Sequence, residues 1–229
     1  MKSRNDFPFY DYDPGDKQRL KRVMAEFQKG FNFLKRFENE RTVSIFGSHL
    51  DKEGEREYEQ ARRLGGLLAK EKIVVLTGGG PGAMEAANRG AFEAGGQSVG
   101  INLELGRQEQ RNSYVKESIC LHYLFVRRVM LAHASQAYVF FPGGFGTLDE
   151  FFEIATLVVT EKIYRQIPIV LMGRDYWNSL KKWLKRMPME KHRAILKSEF
   201  FFWRVVDNEK QALAILKKIP SCFVRHESV

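Results

Sequence analysis

Phe140-Phe141-Pro142-Gly143-Gly144-Phe145-Gly146-Thr147-Leu148-Asp149-Glu150 closes the apolar run that begins at Ala137. It leads into Phe151-Phe152-Glu153-Ile154-Ala155-Thr156-Leu157, whose apolar residues have helical spacing. The stretch reads as a strand, a glycine turn and a helix start. Gly143, Gly144 and Gly146 leave little side-chain bulk between backbone and ligand, and the first N–H groups of the helix have no intrahelical acceptor. A phosphate suits that end, because the helix dipole adds partial positive charge and Thr147 offers a hydroxyl.

Asp149 and Glu150 are the odd feature of this corner. Acidic residues in a first helical turn suit the dipole, which accounts for them without any function. Two carboxylates beside a bound anion nevertheless repel it, and they are better tolerated where a nearby reaction develops positive charge. Glu150 lies three residues after Thr147, on the same helix face and about 5 Å further along the axis. That is the scale of the span from a 5′-phosphate to the sugar carbons of a nucleotide.

Outward from this stretch the same rhythm repeats. Strands are predicted at 42–48, 73–77, 98–102, 137–141, 168–172 and 203–206, with helices at 55–70, from 83, and at 147–161, 175–187 and 208–218. Strands separated by helix-length segments argue for right-handed crossovers and a parallel sheet covered on both faces. The fold class is therefore α/β, a doubly wound Rossmann-like parallel sheet with an added N-terminal helix.

Residues 1–40 are read as a leader and that helix, with Asp13 as cap, Pro14 at the first helical position and an apolar stripe of Leu20, Val23, Met24, Phe27, Phe31 and Leu34. Residues 41–229 are read as the nucleotide-binding domain. In such sheets ligands bind beyond the carboxyl ends of the strands, where Gly47-Ser48, the turn 78–82 and the turn 143–146 all fall.

Composition narrows the function classes. The chain has 229 residues, 44% of them hydrophobic, which suits one globular domain, and no apolar run is long enough to span a membrane. Its start lacks the apolar core of a signal peptide, so a cytoplasmic setting is expected. Cys120 and Cys222 are too few for a disulfide framework or zinc site and are read as ordinary thiols. The five histidines show no metal-ligand spacing, so no metal is expected.

A formal charge of +9 favours acidic partners, nucleotides among them. Much of it falls between Lys181 and Lys197, alternating with Trp177, Leu180, Trp183 and Leu184 as on the solvated side of an amphipathic helix. RNA binding is disfavoured, since no RNA-binding motif accompanies the charge. Gly78-Gly79-Gly80-Pro81-Gly82-Ala83 matches the dinucleotide fingerprint poorly: it follows the second strand, and no acid ends the next one. No Walker Gly-Lys-Ser/Thr triplet occurs, and no cofactor is expected.

Gly78-Gly79-Gly80-Pro81-Gly82-Ala83-Met84-Glu85-Ala86-Ala87-Asn88, the later Arg127-Arg128-Val129-Met130, and Pro142-Gly143-Gly144-Phe145-Gly146-Thr147-Leu148-Asp149-Glu150 resemble the signatures of the LOG ("Lonely Guy") family, in order and spacing, over about residues 40 to 218. The resemblance implies a phosphoribohydrolase that cleaves the N-glycosidic bond of nucleoside 5′-monophosphates, AMP or cytokinin nucleotides, to free base and ribose 5-phosphate. The family's frequent label of lysine decarboxylase finds no support in this chain, which suggests no Schiff-base lysine with a pyridine-nitrogen partner.

Glu150 matches the family's catalytic glutamate and Arg127 the arginine of its Arg-Lys-x-x-Met segment. Here Arg128 replaces the usual lysine, keeping the charge and changing donor geometry, and Met130 comes one position early. Gly79, Gly80, Gly82, Gly143, Gly144, Gly146 and Thr147 are expected to line the phosphate site, with Ser48, Asn102, Arg128 and Met130 as further nucleotide-binding positions. Glu85 is read evenly as a dipole-favoured helix start or a ribose contact. The polar loop 104–112 is expected to be mobile and able to act as a lid. The resemblance also implies at least a homodimer, with the first helix as a contact. The alternative function is a non-catalytic nucleotide or cofactor carrier on the same fold.

Overall fold

The computed structural model describes residues 16–105, 108–109, 111–163, 166–200 and 202–219. In chain order the elements are α1 (Asp16–Leu34), β1 (Arg41–Phe46), α2 (Arg56–Lys70), β2 (Ile73–Thr77), α3 (Ala83–Glu93), β3 (Ser98–Leu105), β4 (Gln108–Glu109), β5 (Glu117–Leu121), α4 (Leu124–His133), β6 (Ala137–Phe140), α5 (Phe145–Val159), β7 (Ile169–Met172), α6 (Arg174–Leu184), β8 (Trp203–Val206) and α7 (Glu209–Leu216). The expected helix cap at Asp13 and Pro14, and Cys222, lie outside the described residues.

Seven parallel strands run in the order β5-β3-β2-β1-β6-β7-β8, and β4 pairs antiparallel with the far end of β3. The doubly wound parallel sheet expected from the strand–helix rhythm is the fold. Winding reverses between β1 and β6, whose register pairs Val43 with Ala137 and Phe46 with Phe140. The crevice of such a sheet opens at that reversal, and Gly47-Ser48 and Pro142-Gly143 leave the sheet there side by side.

Alternation along the buried strands sorts the two faces. Val43 and Ile45 of β1 join Val75, Val139 and Val170 under α2, α3 and α7. Phe46 joins Leu76, Tyr138, Phe140 and Leu171 under α1, α4, α5 and α6. The α2–α3 pair packs closely because it is small: a Cβ on Gly65 would overlap the Ala87 carbonyl, and one on Gly90 the Arg62 carbonyl. On the opposite face Phe140, Phe151 and Trp177 pack edge to face or tilted, with centroids 5.3 to 6.4 Å apart. Phe151 directly follows Glu150, so this aromatic cluster fixes the first turns of α5 over the end of β6.

The polar residues of β1 are satisfied rather than stranded. Thr42 Oγ1 donates to the Ala134 carbonyl at 2.7 Å, and Ser44 Oγ to the Leu131 carbonyl at 3.2 Å. Both carbonyls come from the end of α4, so these hydroxyls take up acceptors that a helix C-terminus leaves without partners.

Three sequence expectations change. The stretch 104–112 is not an open loop throughout, because β3 continues to Leu105 and pairs with β4. The helix expected at 175–187 ends at Leu184 and continues as a π-wound segment, Lys185–Lys191, around Pro188, which lacks the N–H an α-helix needs. β5 and α4 are additions that the sequence reading did not assign.

Candidate active site

Three turns meet where the winding reverses. The Ser48 N–H donates to the Pro142 carbonyl at 3.1 Å, and the Ser48 carbonyl accepts from Ala83 N–H at 2.9 Å. Ser48 thereby joins the end of β1 to both glycine turns. Its Oγ accepts from Leu50 N–H at 3.0 Å, so the hydroxyl belongs to the turn.

The turn after β2 differs from the expectation. Gly79, Gly80 and Gly82 are buried, and protein atoms occupy the space around them. A Cβ on Gly79 would overlap the Asn102 amide, one on Gly82 would overlap the Ser48 carbonyl, and one on Gly78 would overlap Arg127 Nη2. Gly79 and Gly82 also adopt φ of 71° and 73°, the left-handed region that favours glycine. Two amides at this corner are already used, Gly79 N–H by Thr77 Oγ1 at 2.9 Å and Ala83 N–H by Ser48. Gly78 and Gly79 let side chains approach the backbone closely, and Gly82 lets the backbone after β1 do so.

Beneath them runs a buried polar chain. Thr77 Oγ1 donates to Asn88 Oδ1 at 2.6 Å, Asn88 Nδ2 to Ser98 Oγ at 2.9 Å, and Asn112 Nδ2 lies 3.0 to 3.1 Å from the Gly79 and Gly80 carbonyls and Asn88 Oδ1. Asn112 therefore ties the end of the 104–112 stretch to the glycine turn.

The turn before α5 is the open one. A Cβ on Gly144 or Gly146 would meet nothing within 4 Å, and Phe145 between them is 94% exposed. Leu148 N–H makes the first intrahelical bond, to the Gly144 carbonyl at 3.0 Å. The amides of residues 145–147 precede it and form the positive end of the helix. Gly143 is different: a Cβ there would overlap Thr147 Oγ1, so the buried Thr147 folds back over it, and Tyr176 Oη donates to its carbonyl at 2.7 Å.

Arg127 spans the corner. Its Nε donates to the Ile101 carbonyl at 2.9 Å, and Nη1 lies 3.4 Å from Glu150 Oε1. Burial lowers the guanidinium's proton affinity and Glu150 opposes that, so Arg127 remains a cation. Glu150 is pushed up to about 7, chiefly by burial; Asp149 and Glu153 add to the rise, while Arg127 and Arg128 oppose it.

Arg128 contacts Asp149 Oδ1 and Oδ2 at 2.8 and 2.6 Å, and its Nε lies 3.6 Å from Glu153 Oε2. Its charge is therefore engaged by carboxylates of α5. Glu153 was missed in the sequence, although its spacing from Asp149 and Glu150 puts all three on neighbouring positions of one helix.

Two expected positions have partners within the fold. Met130 is fully buried, and its sulfur is against Gly30 of α1, so it is a packing residue and does not line a cleft. Glu85 accepts from Tyr58 Oη at 3.0 Å, which joins α3 to α2 and favours the structural of its two readings.

Comparisons with known proteins give the family and the fold. The family model described as "Possible lysine decarboxylase" matches residues 84–216. A cytokinin riboside 5′-monophosphate phosphoribohydrolase from Rhodococcoides fascians is 24% identical over 153 residues, 66% of this chain and 77% of that protein. One from Arabidopsis thaliana is 27% identical over 184 residues, 75% of this chain and 78% of its own length. A pyrimidine/purine nucleotide 5′-monophosphate nucleosidase from Escherichia coli strain K12 is 29% identical over 151 residues, 60% of this chain and only 33% of that longer protein. Among solved structures, a molybdenum cofactor binding protein from Rippkaea orientalis shares the fold, with a TM-score of 0.60 at 22% identity over 79% of this chain and 97% of that one. The chain belongs to the family described as possible lysine decarboxylase, which is the LOG family of the sequence resemblance.

Proposed function

We propose that this protein hydrolyses the N-glycosidic bond of nucleoside 5′-monophosphates, AMP or cytokinin-type nucleotides, releasing the free base and ribose 5-phosphate. The observation that carries the reading is the buried Arg127–Glu150 pair one helical turn beyond an open glycine-lined helix N-terminus. Names of the relatives from R. fascians, A. thaliana and E. coli support the same chemistry.

In this mechanism the amides of residues 145–147 receive the 5′-phosphate, and Gly144 and Gly146 keep its approach clear. The sugar then lies along the first turn of α5, toward Glu150. As the bond from C1 to the base nitrogen lengthens, positive charge grows on the sugar, and the Glu150 carboxylate stabilises that cation or positions the attacking water. Water supplies hydroxide to C1 and a proton to the departing base. Arg127 holds the carboxylate and keeps a larger share of it ionised near neutral pH. Arg128 holds Asp149 and Glu153, which limits repulsion of the phosphate.

A carrier has no need of a buried carboxylate with raised proton affinity, and this favours hydrolysis over the carrier reading. Incubating AMP with the protein and separating the products by chromatography tests the choice: hydrolysis gives free adenine, carriage returns intact AMP. Glu150→Gln should lower release by roughly a hundredfold or more and leave AMP binding measurable. Full activity in that variant would remove Glu150 from the mechanism.

The same reading includes a cytoplasmic homodimer. No helix among the described residues is long and apolar enough to cross a membrane. Leu20 and Met24, 61% and 71% exposed on α1, are available to a second subunit. Sedimentation of the protein with and without Met24→Glu reads that contact.

A further inference from the structure

We propose that α1 is a brace for the active site and that Glu26 is its positioning residue, acting on Arg127 through the first turn of α4. The proposal rests on the hydrolase reading, and α1 itself lies before the segment matched by the family model.

α4 carries Arg127 and Arg128, yet its own N-cap residue, Tyr123, makes no side-chain capping bond. A helix start without a cap frays, which would leave both guanidiniums loosely placed. Glu26 instead anchors the chain at the entry to α4 from a distant part of the sequence. Its Oε1 accepts from His122 N–H at 2.6 Å and its Oε2 from Tyr123 N–H at 3.1 Å. The carboxylate also places negative charge at the positive end of the α4 dipole.

The rest of α1 holds this contact in register. Lys29 Nζ donates to the Cys120 carbonyl at 3.2 Å, at the end of β5. Gly30 admits the sulfur of Met130, and Phe31 meets the His133 ring edge on at 5.1 Å. Arg36, just beyond the helix, pairs with Glu117 at the start of β5. Glu26 thus faces the beginning of α4 while Gly30 and Phe31 face its end. Met130 stands three residues after Arg127, on an adjoining part of the same helix surface, so displacement of α4 at either contact moves the guanidinium.

Because Arg127 and Arg128 of α4 favour ionised Glu150 while Asp149 and Glu153 of α5 oppose it, a displaced α4 raises the pH at which Glu150 loses its proton. Glu26→Ala should therefore lower kcat by roughly ten- to a hundredfold. It should move the midpoint of the pH–rate profile upward and speed amide hydrogen exchange over residues 122–133, and Glu26→Gln, which keeps one acceptor, should recover part of all three. Gly30→Ala, which drives a Cβ into Met130, should shift the same midpoint without touching Glu26. An unchanged pH midpoint together with unchanged exchange in α4 would overturn the proposal, even if kcat fell. Should the parent protein release no base from any 5′-monophosphate, the hydrolase reading fails, and hydrogen exchange over residues 122–133 still decides whether Glu26 braces α4.

Discussion

Arg127 Nη1 and Glu150 Oε1 lie 3.4 Å apart, with side chains only 13% and 14% exposed, and the pair connects the glycine turn after β2 to the first turn of α5. Shielding from water makes each group sensitive to the other's charge. If the ionised carboxylate is the working form, base release should rise with pH through about 7. Arg127→Met should push that midpoint higher, because Arg127 opposes the rise. A pH series of initial rates reads both midpoints, and coincident midpoints would separate the pair from the chemistry.

The glycines of the turn before α5 should respond in opposite ways. Gly143→Ala sets a Cβ against Thr147 Oγ1 and should cost roughly 1 to 3 kcal/mol of stability. Gly144→Ala and Gly146→Ala meet open space, and Gly144 already has the extended backbone that alanine accepts, with φ −88° and ψ −156°. These two should keep their melting temperatures and raise the KM for a 5′-monophosphate, since the new methyl groups stand where the phosphate would lie. Loss of stability at Gly144 or Gly146, with unchanged KM, would contradict an anion site there.

Asn112 and Tyr176 donate to carbonyls of the two glycine turns. Tyr176→Phe removes one donor to Gly143 and little else, so a KM increase of about fivefold with a small change in melting temperature is expected. Asn112→Ala takes the side-chain donor from the buried Gly80 carbonyl and Asn88 Oδ1, while the Gly79 carbonyl keeps the N–H of residue 112 at 2.8 Å, and should cost about 2 kcal/mol of stability as well as affinity. Calorimetric titration with ribose 5-phosphate reads the affinity without requiring turnover.

The sequence carries the parts of this fold that depend on local signals. β2 at Ile73–Thr77 is an apolar run stopped by glycines, β8 at Trp203–Val206 is a short aromatic and β-branched stretch around Arg204, and the structure has both at the bounds read from the sequence. α4 is less legible because its start is anchored by Glu26, which is 97 residues from Tyr123, and no local pattern encodes such a partner. β5 is an edge strand with buried residues only at Ile119 and Leu121, too short an alternation to stand out.

In the site, the glycine signatures locate both turns but not their different tasks. Openness at Gly144 and close approach at Gly79 and Gly82 depend on side chains that only the fold brings together. Met130 shows the converse: a residue within a signature segment turns inward because α1 provides a glycine to receive it.

Glu150 also predicts a conflict between stability and function. Its carboxyl would ionise near 4.5 in the unfolded chain and near 7 in the folded one. Between those values the folded state holds a proton that the unfolded state releases, so this contribution is complete below about pH 4.5 and is lost as pH rises through 7. Glutamine does not titrate. The stability of Glu150→Gln relative to the parent should therefore grow from pH 4.5 to 7 and then level off, by about 3 kcal/mol in all. The attraction of Arg127 is lost only where the parent's carboxylate is ionised, and it is already contained in the Glu150 pKa of about 7, so it does not reverse the trend. Glu153, whose proton affinity burial raises, is common to both proteins and largely cancels. Urea unfolding of the two proteins at pH 5 and pH 8 measures the widening directly. A gap of the same size at both values would mean that the folded protein does not raise the Glu150 pKa.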